Sequence, residues 1–290
     1  MTFIKIDKKD WETGISRSRE TYQLFGPAKS DAGVLIKPLG KDQSPIMDYT
    51  DSVMSAKCVI FPQSEKILET DLDETHEGHH IMNPAPPEFG QRAVLGIRPF
   101  DAKAVELTKL NFINEDYVDP YWKQAYEATT FVGLALTDPG PCDFSTATGS
   151  GPFSEDGLDV LMADMDDHFM AKILTDKGGS WAEACGFSNE TDAKEGQVLF
   201  DVLRKEAEAR ITDTIETDRL ADKTVLDLHE APFWDDVAFS CINCGTCTYV
   251  CPTCWCFDIQ DETKRKSSIR YRNWDTCMSP LFTRHATGHN

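Results

Sequence analysis

The sequence predicts an α/β N-terminal domain over residues 1–235, followed by a small α+β domain over residues 236–290. Three observations carry this expectation. Short β-rich runs alternate with amphipathic helical patterns through the first part of the chain, which argues for a sheet covered by helices. The character changes around Pro232–Asp236, as at a linker. Beyond it lie seven of the ten cysteines, all between positions 241 and 277.

Taken in order, Val34-Leu35-Ile36 reads as part of a strand, and Cys58–Pro62 as a strand running into a turn. Ala93–Ile97 reads as a short buried strand ended by Arg98-Pro99. A helix follows from Asp101 to Leu107, with Asp101 in the capping position. Thr130–Leu136 reads as a further core strand. The acidic stretch ETDLDETHE at 69–77, followed by Pro84, Pro86 and Pro87, reads as an exposed connection. His76, His79 and His80 are assigned to that solvated loop, because no paired cysteine or ordered ligand spacing accompanies them. Between 191 and 222, Val198, Leu199, Val202, Leu203, Ile211 and Ile215 recur at helical spacing and predict one long packing helix.

Composition excludes several functions. The formal net charge of −20 repels nucleic-acid backbones and anionic lipid heads, so no nucleic-acid partner is expected. No apolar run approaches the ~20 residues a membrane-spanning helix needs. The N-terminal MTFIKIDKKDW has no apolar stretch of signal-peptide length, so the expected location is cytoplasmic. In such a compartment a local cysteine cluster points to metal or redox chemistry rather than to a disulfide framework.

The cluster begins CINCGTCTYVCP, or Cys241-x2-Cys244-x2-Cys247-x3-Cys251-Pro252. This is the bacterial ferredoxin spacing for a [4Fe–4S] cluster, so the second domain is expected to be ferredoxin-like. Each iron of the cube takes one thiolate, and cysteines two residues apart let a tight loop wrap several corners. Gly245 lets the backbone approach and aim N–H groups at sulfur, which offsets negative charge. Cys241, Cys244, Cys247 and Cys251 are the candidate cofactor ligands. The competing reading is structural zinc in an interaction or scaffold protein without redox activity. Zinc sites usually pair two separated knuckles instead of using one unbroken run.

In two-cluster ferredoxins the fourth cysteine of a run ligates the other cluster. Only Cys254, Cys256 and Cys277 remain here for a second set, and seven thiolates do not make eight. Three arrangements satisfy the count. One cluster has a remote ligand such as Cys277; a second cluster is completed by another group or a scattered cysteine; or the sequence stops short of its natural end. Trp255, between Cys254 and Cys256, either shields a cluster from water or packs in a core.

FPQSEKIL at 61–68, LGIRPFDAKAVELTKLNF at 95–112, GSGP at 149–152, CINCGTCTYVCPTCWCFD at 241–258 and RNWDTCMSPLFTRHATGHN at 272–290 carry a resemblance over most of the chain. The sequence resembles the iron–sulfur β subunits of cytoplasmic sulfhydrogenases and the A subunit of anaerobic sulfite reductase. The resemblance implies an electron-transfer subunit with one or two [4Fe–4S] clusters in a dicluster ferredoxin domain. It implies partners on two sides: a flavin- and NAD(P)-binding subunit, and a catalytic redox subunit such as a hydrogenase or sulfite reductase. Such relatives continue past GHN into a second cysteine run, so the domain at 236–290 is expected to be incomplete at its C-terminus. Two departures stand out. Relatives commonly have cysteine where this chain has Phe100, and a cysteine-rich stretch where it has only Cys142. The N-terminal domain is therefore expected to be architectural, with Arg98 and Asp101 as a strand-end turn and a helix cap. No acid–base pair, nucleophile triad or phosphate loop gives independent catalysis an address. Gly149 and Gly151 lack the strand–helix context of a nucleotide site and read as a turn.

Overall fold

A computed structural model describes residues 2–85, 89–212, 215–282 and 284–289. Its strands are β1 (Thr2–Asp7), β2 (Gln23–Ser30), β3 (Gly33–Pro38), β4 (Ser64–Asp71), β5 (Asn83–Pro84), β6 (Arg92–Ile97), β7 (Thr129–Leu134), β8 (Val160–Asp164), β9 (His168–Ile173), β10 (Glu190–Thr191), β11 (Phe257–Lys264) and β12 (Ser267–Trp274). Its helices are α1 (Lys8–Ser18), α2 (Lys57–Ile60), α3 (Pro99–Phe112), α4 (Pro120–Glu127), α5 (Asp176–Cys185), α6 (Ala193–Glu208), α7 (Asp218–Ala221), α8 (Val225–His229), α9 (Phe233–Phe239) and α10 (Thr246–Val250).

Eight strands form one mixed sheet in the order β10-β1-β9-β8-β7-β6-β2-β3. The central strands β2, β6, β7 and β8 run parallel, and antiparallel strands extend both edges. The parallel centre is apolar on both faces, as a sheet covered twice requires. On β7, Phe131 points to one core while Val132 and Leu134 point to the other; on β8, Leu161 and Ala163 oppose Val160 and Met162. Trp11 of α1 and Trp181 of α5 fill one side. The other side takes Ala102, Val105 and Phe112 of α3, Trp122 of α4 and Phe200 of α6. The α/β class read from the sequence is therefore the class observed.

Local chemistry starts these helices. Pro99 and Pro120 occupy first-turn positions where a missing N–H costs nothing. Asp119 accepts from Trp122 N, Thr175 from Gly178 N, and Asp192 from Lys194 N and Glu195 N. Four local expectations differ. Cys58–Ile60 is helical, in α2, because a short run buried on all sides carries no period to tell helix from strand. The cap of α3 is Arg98, and Asp101 lies inside its first turn, buried. The helix expected over 191–222 ends at Glu208, and Val198 and Val202 on it face solvent. Glu69–Asp71 belong to β4, so the exposed connection begins only after Asp71. Pro86 and Pro87 lie outside the described residues.

A second sheet is antiparallel, in the order β11-β12-β4-β5. The β11–β12 hairpin comes from the cysteine-bearing segment, whereas β4 and β5 come from residues before 85. Residues on both sides of position 235 thus share one sheet. Phe257 and Trp274 of the hairpin pack on Phe61 and join the core beneath α3 and α4. No helix among the described residues is long and apolar enough to cross a membrane.

Candidate metal centre

The cysteine run leaves α9 at Ser240 and enters a loop that turns twice through left-handed backbone. Asn243 has φ 54° and Gly245 has φ 72°. A Cβ on Gly245 would meet Tyr249 at 3.2 Å and Thr276 at 3.4 Å, so both conformation and space favour glycine there. The turn brings Asn243 N to 3.4 Å from Cys241 Sγ. This is the amide-to-sulfur contact that stabilises a thiolate bound to metal. Gly245 opens α10, which carries Cys247. Cys241, Cys244 and Cys247 are exposed, and Cys251, Cys254 and Cys256 are half-buried, the first two over Lys57.

Threonines prepare two of the thiols. Thr246 Oγ1 lies 3.3 Å from Cys244 Sγ, and this contact with its backbone N–H holds the Cys244 thiol below its ordinary pKa. Burial raises Cys251, but Thr253, 3.2 Å away, and the neighbouring Cys254 outweigh it and leave the thiol lowered. Cys254 is pushed up to about 11 by burial and by Cys251. Cys277 is raised by burial and by the neighbouring Cys256, with Cys247 also close. The three cysteines whose role the spacing left open therefore lie within the thiol cluster, Cys254 beside Cys251 and Cys277 beside Cys256. Cys58 instead faces the Ile36 and Ser55 carbonyls, Cys142 is exposed elsewhere, and Cys185 is buried, its thiol pushed up to about 12 by that burial.

Beneath the loop lies a residue that sequence reasoning missed. Lys57, 5% exposed, donates from Nζ to the carbonyls of Tyr249 (3.1 Å), Cys251 (3.0 Å) and Cys254 (3.1 Å). Its ammonium sits 4.0 Å from the centre of the Trp274 ring. Burial lowers its pKa, and the thiols of Cys254 and Cys251 pull it back up. The one available signal was a lysine set directly before the apolar run CVIF. Thr108 Oγ1 adds a 3.3 Å bond to the Pro252 carbonyl, and Trp274 Nε1 donates to Phe61 O at 3.1 Å. Trp255 rests edge-on against Phe112 and stays 40% exposed, so it packs on one side and screens on the other.

The donor set fits an iron–sulfur cluster: soft thiols on a glycine turn, amide and hydroxyl contacts to sulfur, and a cation behind them. Among the described residues no three His, Cys, Asp or Glu side chains converge on a point that would hold a single metal ion. His76, His79 and His80 lie elsewhere, with His76 paired to Asp71. Gly149 closes a short 3-10 turn over Ser145–Thr148, and the TGSGP stretch is followed by turns rather than by a helix.

Such a site defines an iron–sulfur protein, and comparison with known proteins agrees. A family model described as a 4Fe-4S dicluster domain matches residues 240–290. Over 294 aligned residues the chain is 22% identical to sulfhydrogenase 2 subunit beta of Pyrococcus furiosus, covering 100% of this chain and 84% of that relative. The resemblance to an iron–sulfur β subunit read from the sequence thus has support from both findings. [4Fe–4S] clusters are the cofactor, and a domain of this kind holds two. No solved structure matches the chain.

Proposed function

We propose that the chain is an electron-transfer subunit, relaying single electrons between a flavin- and NAD(P)-binding subunit and a catalytic redox subunit. The complex would be a cytoplasmic oxidoreductase of the hydrogenase or sulfite reductase kind. Cys241, Cys244, Cys247 and Cys251 are the assigned cluster ligands. Cys254, Cys256 and Cys277 are further donors within the same thiol group. When bound, the clusters supply one-electron redox chemistry at potentials set by charge, hydrogen bonding and exposure. The chain's own residues do the rest. Gly245 and Asn243 shape the loop, Thr246 and Thr253 favour the thiolate forms, and Trp255 limits water. Residues 1–235 are proposed as the docking scaffold that carries the module of residues 236–290.

The observation that carries this reading is the dicluster family match, which falls on the same residues that form the exposed thiol loop. Exposure matters because electrons must leave for a partner, and a thiol loop at the surface shortens that path. The test is anaerobic purification followed by iron, sulfide and zinc analysis, with low-temperature EPR of the reduced chain. Iron and acid-labile sulfide in equal amounts, at about four or eight per chain, are expected. Stoichiometric zinc without sulfide would replace this reading with a zinc-stabilised scaffold.

A further inference from the structure

Five cationic side chains among the described residues are buried: Lys57, Arg92, Arg98, Lys172 and Arg272. Lys172 is ion-paired to Glu155. Arg272 is ion-paired to Glu65 and Asp119. Arg92 and Arg98 bond only to carbonyls, yet carboxylates stand nearby: Glu65 for Arg92, and Asp51, Asp101 and Asp48 for Arg98. Lys57 instead donates to the carbonyls of Tyr249, Cys251 and Cys254 and sits on the Trp274 ring, with the thiols of Cys254, Cys251, Cys58 and Cys256 nearby. Among the described residues no carboxylate forms an ion pair with it. In a chain with 49 acidic residues, a buried ammonium held by the carbonyls of a cysteine loop and by no carboxylate calls for an explanation. A buried charge is retained where an opposite charge meets it.

We propose that Lys57 is a positioning residue for the cluster, a fixed cation that holds the Tyr249–Cys254 backbone and raises the reduction potential of the cluster this segment ligates. The proposal rests on the iron–sulfur reading. A thiolate-ligated [4Fe–4S] cluster is anionic and gains one further negative charge on reduction. A cation behind its ligands therefore stabilises the reduced form more than the oxidised one. The three carbonyl bonds also fix where Cys251 and Cys254 can point, and the Trp274 ring keeps the ammonium from swinging away.

The experiment compares the full wild-type chain, purified anaerobically, with Lys57→Arg, Lys57→Gln and Lys57→Met. Iron and sulfide content is measured first, then the midpoint potential by EPR-monitored titration. Expected are wild-type iron content in Lys57→Arg with a midpoint near wild type, and a lower midpoint in Lys57→Gln. The ratio of reduced to oxidised cluster in Lys57→Gln at fixed potential should fall about tenfold, or about 59 mV for a one-electron couple. Lys57→Gln keeps a donor for the carbonyls, so a purely structural role would leave its potential unmoved. A loaded Lys57→Gln or Lys57→Met with the wild-type midpoint overturns the proposal. Iron lost from both neutral variants but kept by Lys57→Arg supports it, since charge is then what the loop requires. Iron lost from all three assigns the residue to packing and overturns it. A wild-type chain without iron and sulfide overturns the iron–sulfur reading and this proposal together, and is recognised before any variant is examined.

Discussion

Lys57 and Arg272 are both nearly inaccessible, both stacked on aromatic rings, and yet they are built differently. Arg272 on β12 donates from Nε to Glu65 on β4 at 3.1 Å and from Nη1 to Asp119, the cap of α4, at 2.7 Å. Its guanidinium lies between the rings of Phe61, Phe112 and Phe257. That charge is answered within the fold, so its role is to lock the hairpin onto β4 and α4. Lys57 meets neutral carbonyls and thiols, and the charge that answers it is proposed to be the cluster. Two buried cations can thus serve opposite ends, one closing the structure and one proposed to address a cofactor. The partners, more than the burial, tell them apart.

The comparison breaks most visibly at Arg272. Arg272→Met should destabilise the chain by about 3–5 kcal/mol, because Glu65 is left buried and uncompensated. Urea unfolding measures this. Burial already holds the Glu65 carboxyl above its ordinary range despite Arg272, which shows how much the pair depends on its cation. The double variant Glu65→Leu/Arg272→Met should recover most of the loss, since apolar replacement of a buried pair is often near neutral. A double variant as weak as the single one would mean that packing, not charge, made the lock.

Arg98 and Asp101 form an intermediate case, where cation and carboxylate are near but not in contact. Burial pushes the Asp101 carboxyl up to about 6, against the pull of Arg98. A carboxyl raised in the fold favours folding while protonated, so this contribution is complete below about pH 4 and is lost as pH rises through about 6. Asp101→Asn should therefore exceed the wild type in stability by about 1–3 kcal/mol at pH 7, and the two should converge near pH 4. Parallel unfolding curves across that window would show that Asp101 is not the titrating group.

Smaller effects sharpen the loop itself. Gly245→Ala meets a left-handed φ of 72° and the Tyr249 ring, and should cost about 1–2 kcal/mol. Because the strain falls on the loop that aims Cys244 and Cys247, reduced iron content is the expected readout. Trp255→Leu keeps an apolar contact to Phe112 but opens one side to water. A midpoint shift below about 59 mV is expected, with iron content unchanged.

The legibility of these features follows their range along the chain. β6, β7 and β3 were readable because apolar runs of strand length were bounded by turn residues. α2 was not, because Lys57–Ile60 is too short and too largely buried to show a period. The end of α6 was missed because Ile211 and Ile215 continue the spacing after the helix has stopped at Glu208. The gathering of Cys241, Cys244, Cys247 and Cys251 in one stretch was legible from spacing alone. The places of Cys254 beside Cys251 and Cys277 beside Cys256 were not, since those depend on how the hairpin returns.

By itself the sequence determined the cysteine loop, because Cys241, Cys244, Gly245, Cys247 and Cys251 lie so close along the chain that covalent geometry keeps them together whatever the rest of the chain does. Tertiary structure decided what stands behind that loop. Lys57 and Cys251 are 194 residues apart, and β4 and β12 join in one sheet from opposite sides of position 235. No local pattern encodes such meetings. They arise when distant apolar surfaces, Phe61 and Trp274 among them, are removed from water together and carry their polar neighbours with them.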